Sequence, residues 1–101
     1  MPPTLEFLDE ALAEAEEAAR WYAERDASAA FGFSDELIGA VTQIERAPHA
    51  WPPYEHSTRR FLLRRFPFSV VYWVDNNRIV ILAVAHTSRR PDYWRNRLSS
   101  I

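Results

Sequence analysis

All twelve basic residues of this 101-residue chain are arginines, and nine of them fall in its second half. A guanidinium stays charged at any working pH and offers a planar fork of donors, so arginines bind anions and stabilise charge but cannot serve as a general base. A lysine base is therefore excluded. Arg59, Arg60, Arg64 and Arg65 are interleaved with apolar residues, and Arg89-Arg90 stand between Ser88 and Pro91 after a strongly apolar run. Core packing explains the second pair poorly. It suits contact with a phosphate or with an acidic protein segment. His49, His56 and His86 have neither metal-ligand spacing nor a carboxylate pair beside them, and there is no cysteine, so no metal and no cofactor is implied.

Charge is divided along the chain. Residues 1–50 hold eleven acids against three arginines, a net of −8, and residues 51–101 hold nine arginines against Glu55, Asp75 and Asp92, a net of +6. Either the halves neutralise one another, or the basic half meets an anionic partner. The length suits a single domain over 1–101. The absence of cysteine fits a cytoplasmic home, and the start Met1-Pro2-Pro3-Thr4 has neither a basic nor an apolar leader region. No apolar run approaches the roughly 18 residues of a membrane span, so no membrane partner is expected.

The elements that must position these residues can be read in order. Thr4 to Leu8 alternates as a short strand, and Asp9 offers an N-cap. A helix from Asp9 to about Arg25 carries Leu12, Ala15, Ala19 and Tyr22 on its apolar stripe, with Glu10, Glu14, Glu17 and Glu24 on the remaining face. Asp26 or Ser28 caps a second helix to about Arg46, with Phe33, Leu37, Val41 and Ile44 as its stripe. Pro48 to Ser57 is a loop in which Trp51 and Tyr54 pack. Arg59–Arg65, Phe68–Val74 and Arg78–Ala85 then form a three-stranded meander, because connections this short join only antiparallel neighbours. The last strand is apolar on both faces and belongs in the centre. Pro91 to about Leu98 reads as one or two helical turns. The fold class is α+β: a short N-terminal strand, a helical hairpin over one sheet face, a three-stranded antiparallel meander and a short C-terminal helix, with the other sheet face free.

Three stretches, taken in order, resemble the RelE/ParE superfamily of toxins. Glu17-Ala18-Ala19-Arg20-Trp21-Tyr22 resembles its first helix. Arg59 through Tyr72 resembles its central hairpin, and Ile79 through His86 followed by Arg89-Arg90-Pro91-Asp92-Tyr93-Trp94 resembles its last strand and C-terminal signature. The resemblance implies the toxin of a type II toxin–antitoxin system, arresting growth or stabilising a plasmid, and bound by a cognate antitoxin in a hetero-oligomer. It leaves two targets open: DNA gyrase in the ParE-like branch, or messenger RNA cleaved on the ribosome in the RelE-like branch. For a nuclease, it implies Arg64, His86, Arg90 and Tyr93 as the catalytic set, with His86 and Tyr93 the only proton-transfer groups. For partner binding it implies Arg60, Arg65, Arg89, Arg90 and Trp94. The nuclease branch tends to carry arginine directly before the Val-Tyr segment, where this chain has Ser69. That departure and the missing lysine favour the ParE-like reading.

Overall fold

The structure, a computed structural model, describes residues 3–101, so Met1 and Pro2, part of the start read as leader-free, lie outside the described residues. Five strands, β1 (Thr4–Phe7), β2 (Pro53–Tyr54), β3 (Thr58–Leu62), β4 (Phe68–Asp75) and β5 (Arg78–His86), form one sheet in the order β1-β5-β4-β3-β2. The expected meander is β3-β4-β5. Beside it, β1 pairs with β5 in parallel, Leu5 opposite Ile79 and Phe7 opposite Ile81. The two helices between them make the crossover that a parallel pair requires. With neighbours on both sides, β5 is central, and its residues from Ile79 to Ala85 are all buried.

Helices α1 (Asp9–Ala23) and α2 (Ala27–Arg46) cover one sheet face. The Asp26 carboxylate caps α2 by accepting from the Ser28 N–H at 2.9 Å. Phe33, Leu37, Ala40 and Ile44 are the buried stripe of α2, as the repeat predicts. On α1 the expectation needs two corrections. The N-cap is Leu8, so Asp9 and Glu10 lie in the first turn, where they favour the positive end of the helix dipole. The buried stripe is Ala11, Ala15 and Ala18, which leaves Leu12 about half exposed. Three alanines let α1 lie close to α2 and β5, and the bulk of this core comes from Phe33, Phe66, Phe68 and Tyr22, whose rings meet at 5.1–6.4 Å. Trp21, beside the core residue Tyr22, is 50% exposed and carries the Arg25 guanidinium 3.7 Å above its ring.

A bulge in β5 governs the opposite face. Val71 pairs with Ala83 and Tyr72 with Ile81, leaving Leu82 as the extra residue, so Leu82 and Ala83 both contribute to the second face. The sequence expectation leaves this face free, but it is largely covered. The C-terminal segment folds back over it, Trp94 inserting among Val71, Val80, Leu82, Ala83 and Ala85 with Leu98 and Ile101 alongside. That segment contains a 3-10 helix over Arg95–Ser100 preceded by turns, rather than an α-helix starting at Pro91.

Burial sets the behaviour of the fold at high pH. The Tyr72 phenol is fully buried, donates to the Pro48 carbonyl at 2.6 Å, and is pushed up to about 12 by burial, with Arg59 opposing. A phenol raised in the folded state favours folding fully below its ordinary value of 10.0 and loses that contribution as pH climbs through about 12. The urea midpoint should therefore hold steady up to about pH 10 and fall above it, with Tyr72 phenolate absorbance growing in only as the chain unfolds. Phenolate formation by all four tyrosines near pH 10 in a folded chain would contradict this.

Candidate functional site

The candidate site lies where β5 ends and the chain turns into the C-terminal segment. Two depressions meet here, and His86, Arg89 and Tyr93 line both. The larger, about 490 Å³, is a groove between α1 and the β4–β5 end, floored by Ala18, Tyr22, Phe68 and Val84, with Trp21 on its wall and Glu17 and Arg89 as charged members. The smaller, about 110 Å³, opens on the second sheet face among Tyr54, Arg60, Ser69, Thr87, Arg89 and Arg90. Ser69 is buried at its base.

The residues expected to carry catalysis are only partly brought together. His86, Arg90 and Tyr93 share the smaller cleft, but Arg64 lines a separate cavity between α2 and β3 with Asp35, Gln43 and Phe61. The expected strand through Arg65 stops at Leu62. Arg64 and Arg65 instead occupy the connection to β4, where the Glu36 carboxylate of α2 accepts both backbone N–H groups and pairs with the Arg65 guanidinium at 3.3 Å. Trp94, expected at a partner interface, is 1% exposed and anchors the C-terminal segment. Arg60, Arg89 and Arg90 do line the cleft. Arg60 sits 4.2 Å over Tyr54, and Arg89 sits 3.9 Å over Tyr93. Trp51 and Tyr54 pack as expected, Trp51 against Phe61 at 4.6 Å and Tyr54 near Trp94 at 6.1 Å.

Of the two proton-transfer groups, Tyr93 is held by a structural bond and His86 is held at Nδ1 only, with no bond to Nε2 among the described residues. His86 Nδ1 accepts from the Ser88 backbone N–H at 3.0 Å, and the Ser88 hydroxyl lies 2.7 Å away, so the ring nitrogen nearer the loop is spoken for and the ring rests edge-on against Phe68 at 5.1 Å. The Tyr93 hydroxyl donates to Glu14 at 2.6 Å. Burial, then that bond and the Glu14 charge, hold the Tyr93 phenol far above the ordinary tyrosine range, against the opposing Arg97 and Arg89.

Glu14 is the residue the sequence reading misplaced. It was expected on the solvent face of α1, yet its side chain is only 17% exposed and joins three elements. It accepts from Tyr93, from both terminal nitrogens of Arg97 at 2.9–3.0 Å, and from the Val84 backbone N–H at 3.0 Å, beyond the point where β1 stops. Arg97 also donates to the Leu82 carbonyl at the bulge, so the pair satisfies backbone groups that the irregular strand leaves over. Burial, the largest single influence, acts against the Arg97 charge, but the bond to Glu14 together with the charges of Glu14, Tyr93 and Glu10 outweighs it and raises the guanidinium's pKa. The signal was present: Glu14 stands three residues after Ala11 and four before Ala18, on the buried stripe itself.

The division of charge is thus partly internal. Glu6 meets Arg78, Glu14 meets Arg97 and Glu36 meets Arg65, while Arg60, Arg64, Arg89, Arg90 and Arg95 have no carboxylate within ion-pair distance among the described residues.

A helical hairpin over an N-terminal strand and an antiparallel meander, with arginines gathered at the end of the last strand, defines the RelE/ParE-type toxin fold. Residues 5–91 match the family described as ParE toxin of type II toxin-antitoxin system, parDE, and the chain belongs to that family. A solved structure with the same fold, from a chromosomal ParDE toxin–antitoxin system of P. aeruginosa, aligns with a TM-score of 0.74 at 18% identity, covering 84% of this chain and 96% of that one. No curated protein matches the chain. No helix among the described residues is long and apolar enough to cross a membrane.

Proposed function

We propose that this ParE-family toxin acts as a single domain over 1–101 in the cytoplasm, arrests growth by binding DNA gyrase, does so without catalysing a reaction, and is neutralised in a hetero-oligomer with a cognate antitoxin. The observation that supports the non-catalytic reading is that the candidate groups are not assembled, since Tyr93 is held by Glu14 and Arg64 lies apart from His86. His86 Nδ1 is itself bonded to the loop after β5. Cleavage of RNA through its 2′-hydroxyl needs a free base near that oxygen and a free acid at the leaving oxygen.

The groove along α1 suits the antitoxin. Its apolar floor, with Trp21 on the wall, fits a segment that orders on binding, and Arg89 at one side, with the exposed Arg90 next to it, suits acidic residues on that segment. Binding that weakens with added salt is expected, since these arginines are exposed.

Supercoiling of relaxed plasmid by purified gyrase tests the target. The toxin should inhibit it, stoichiometric antitoxin should restore it, and labelled messenger RNA on ribosomes should stay intact at the same toxin concentration. Full supercoiling together with cut RNA would refute the proposal. His86→Gln should change the inhibitory concentration by less than about twofold, whereas loss of a general acid or base costs about 10²–10⁴-fold.

A further inference from the structure

Three of the unpaired arginines converge on the smaller cleft, and no carboxylate lines it. Asp92 follows closely in sequence, but its carboxylate lies 3.6 Å from His56 Nε2. The Arg60 and Arg89 guanidiniums rest over the Tyr54 and Tyr93 rings, and neither donates a hydrogen bond among the described residues, so their N–H groups stay available. The shelves beneath them are themselves held. The Tyr93 hydroxyl is bonded to Glu14 at 2.6 Å, and the Tyr54 hydroxyl donates to the Pro91 carbonyl at 3.4 Å. Forks held in place by their supports lose little side-chain freedom on binding an anion. Arg90 completes the positive wall, and the hydroxyls of Ser69 and Thr87 line the same space.

We propose that this cleft binds a backbone phosphodiester of nucleic acid, reversibly and without cleaving it. Three features favour a phosphodiester over an acidic peptide. The cleft lies on a sheet face over the paired strands β3, β4 and β5, and β2 at its margin is only two residues long, so it offers a peptide little free strand edge with which to form main-chain bonds. Its volume of about 110 Å³ accommodates one compact group rather than a run of side chains. Three guanidiniums around so small a space present donors on several sides, matching the non-bridging oxygens of a phosphate. The two tyrosine rings are already covered by guanidiniums, leaving no aromatic face there for a base to stack on. The contact therefore reads backbone and not sequence. This inference does not depend on gyrase being the target.

Fluorescence anisotropy of the purified full chain with labelled duplex DNA, single-stranded DNA and single-stranded RNA tests it. Binding at low salt is expected, with log affinity falling linearly in log salt. Arg60→Gln and Arg89→Gln should each weaken binding on the order of tenfold and reduce the salt slope by about 1, while Arg60→Lys keeps the slope. Arg95→Gln, an exposed arginine outside the cleft, should change affinity by less than about twofold. A preference for DNA or for RNA identifies the source of the phosphodiester. No binding at low salt, equal loss in Arg95→Gln, or displacement by polyglutamate as efficiently as by unlabelled DNA would each overturn the site. Cutting of the RNA probe would overturn the non-cleaving claim, and would be distinguishable from absence of binding.

Discussion

Glu14→Ala is expected to destabilise the fold by about 3 kcal/mol, the low end of the cost of removing one partner from a buried ion pair. The low end is appropriate because Arg97 keeps 17% of its side chain exposed and water can reach part of the guanidinium. Three groups would lose their acceptor together: the Arg97 guanidinium, the Tyr93 hydroxyl and the Val84 backbone N–H at the irregular part of β5. In a chain of this size the melting temperature should drop by more than about 10 °C. The C-terminal segment should loosen first, raising amide exchange at residues 93–101 above that of β4. Glu14→Gln separates charge from bonding, because its one amide oxygen can keep the bond from either Val84 or Tyr93 while Arg97 is left unneutralised, so it should fall between the wild type and Glu14→Ala. A melting temperature within about 2 °C of wild type for Glu14→Ala would contradict the role assigned to this carboxylate.

Trp94→Ala should cost about 3–5 kcal/mol, the range for removing a large aromatic from a packed core. Trp94 fills the second face as the one fully buried aromatic of that cluster among the described residues, with Tyr93, Leu98 and Ile101 of the same segment only partly buried against it. The bulge makes this face unusually dependent on one residue, because it points two successive β5 side chains toward the tail. Denaturant unfolding would show a lower midpoint, and apolar dye would bind the uncovered face. Trp94→Phe should recover part of the loss. If Trp94→Ala leaves stability unchanged and weakens only the antitoxin complex, the residue is an interface anchor after all.

The sequence made some parts of this architecture readable and hid others for physical reasons. The α2 stripe and the β3-β4-β5 meander were readable because both rest on local periodicity and short turns. The parallel pairing of β1 with β5 joins residues more than seventy positions apart and has no local signature. On α1, Leu12 outranked Ala11 by hydropathy, although an alanine stripe was what close helix packing selected. Arg64 and Arg65 continued the alternation of β3 on paper, but a carboxylate from α2 captured their backbone N–H groups and bent the chain away. The free second face was misjudged because the tail's cover depends on one tryptophan and on the Glu14–Arg97 link, which joins opposite ends of the sequence. At the candidate site, the residue types of Arg60, Arg89 and Arg90 announced an anion-binding surface. The commitments of His86 and Tyr93 could be known only from their hydrogen bonds.

Arrest of growth at gyrase without RNA cleavage, as proposed for this ParE-family toxin, can be read in living cells. Inducing the chain in a bacterium that lacks the antitoxin, and following pulse-labelled thymidine and methionine incorporation, tests it most directly. DNA synthesis should fail first, with a DNA-damage response, while translation continues. Early loss of translation with DNA synthesis intact would contradict it.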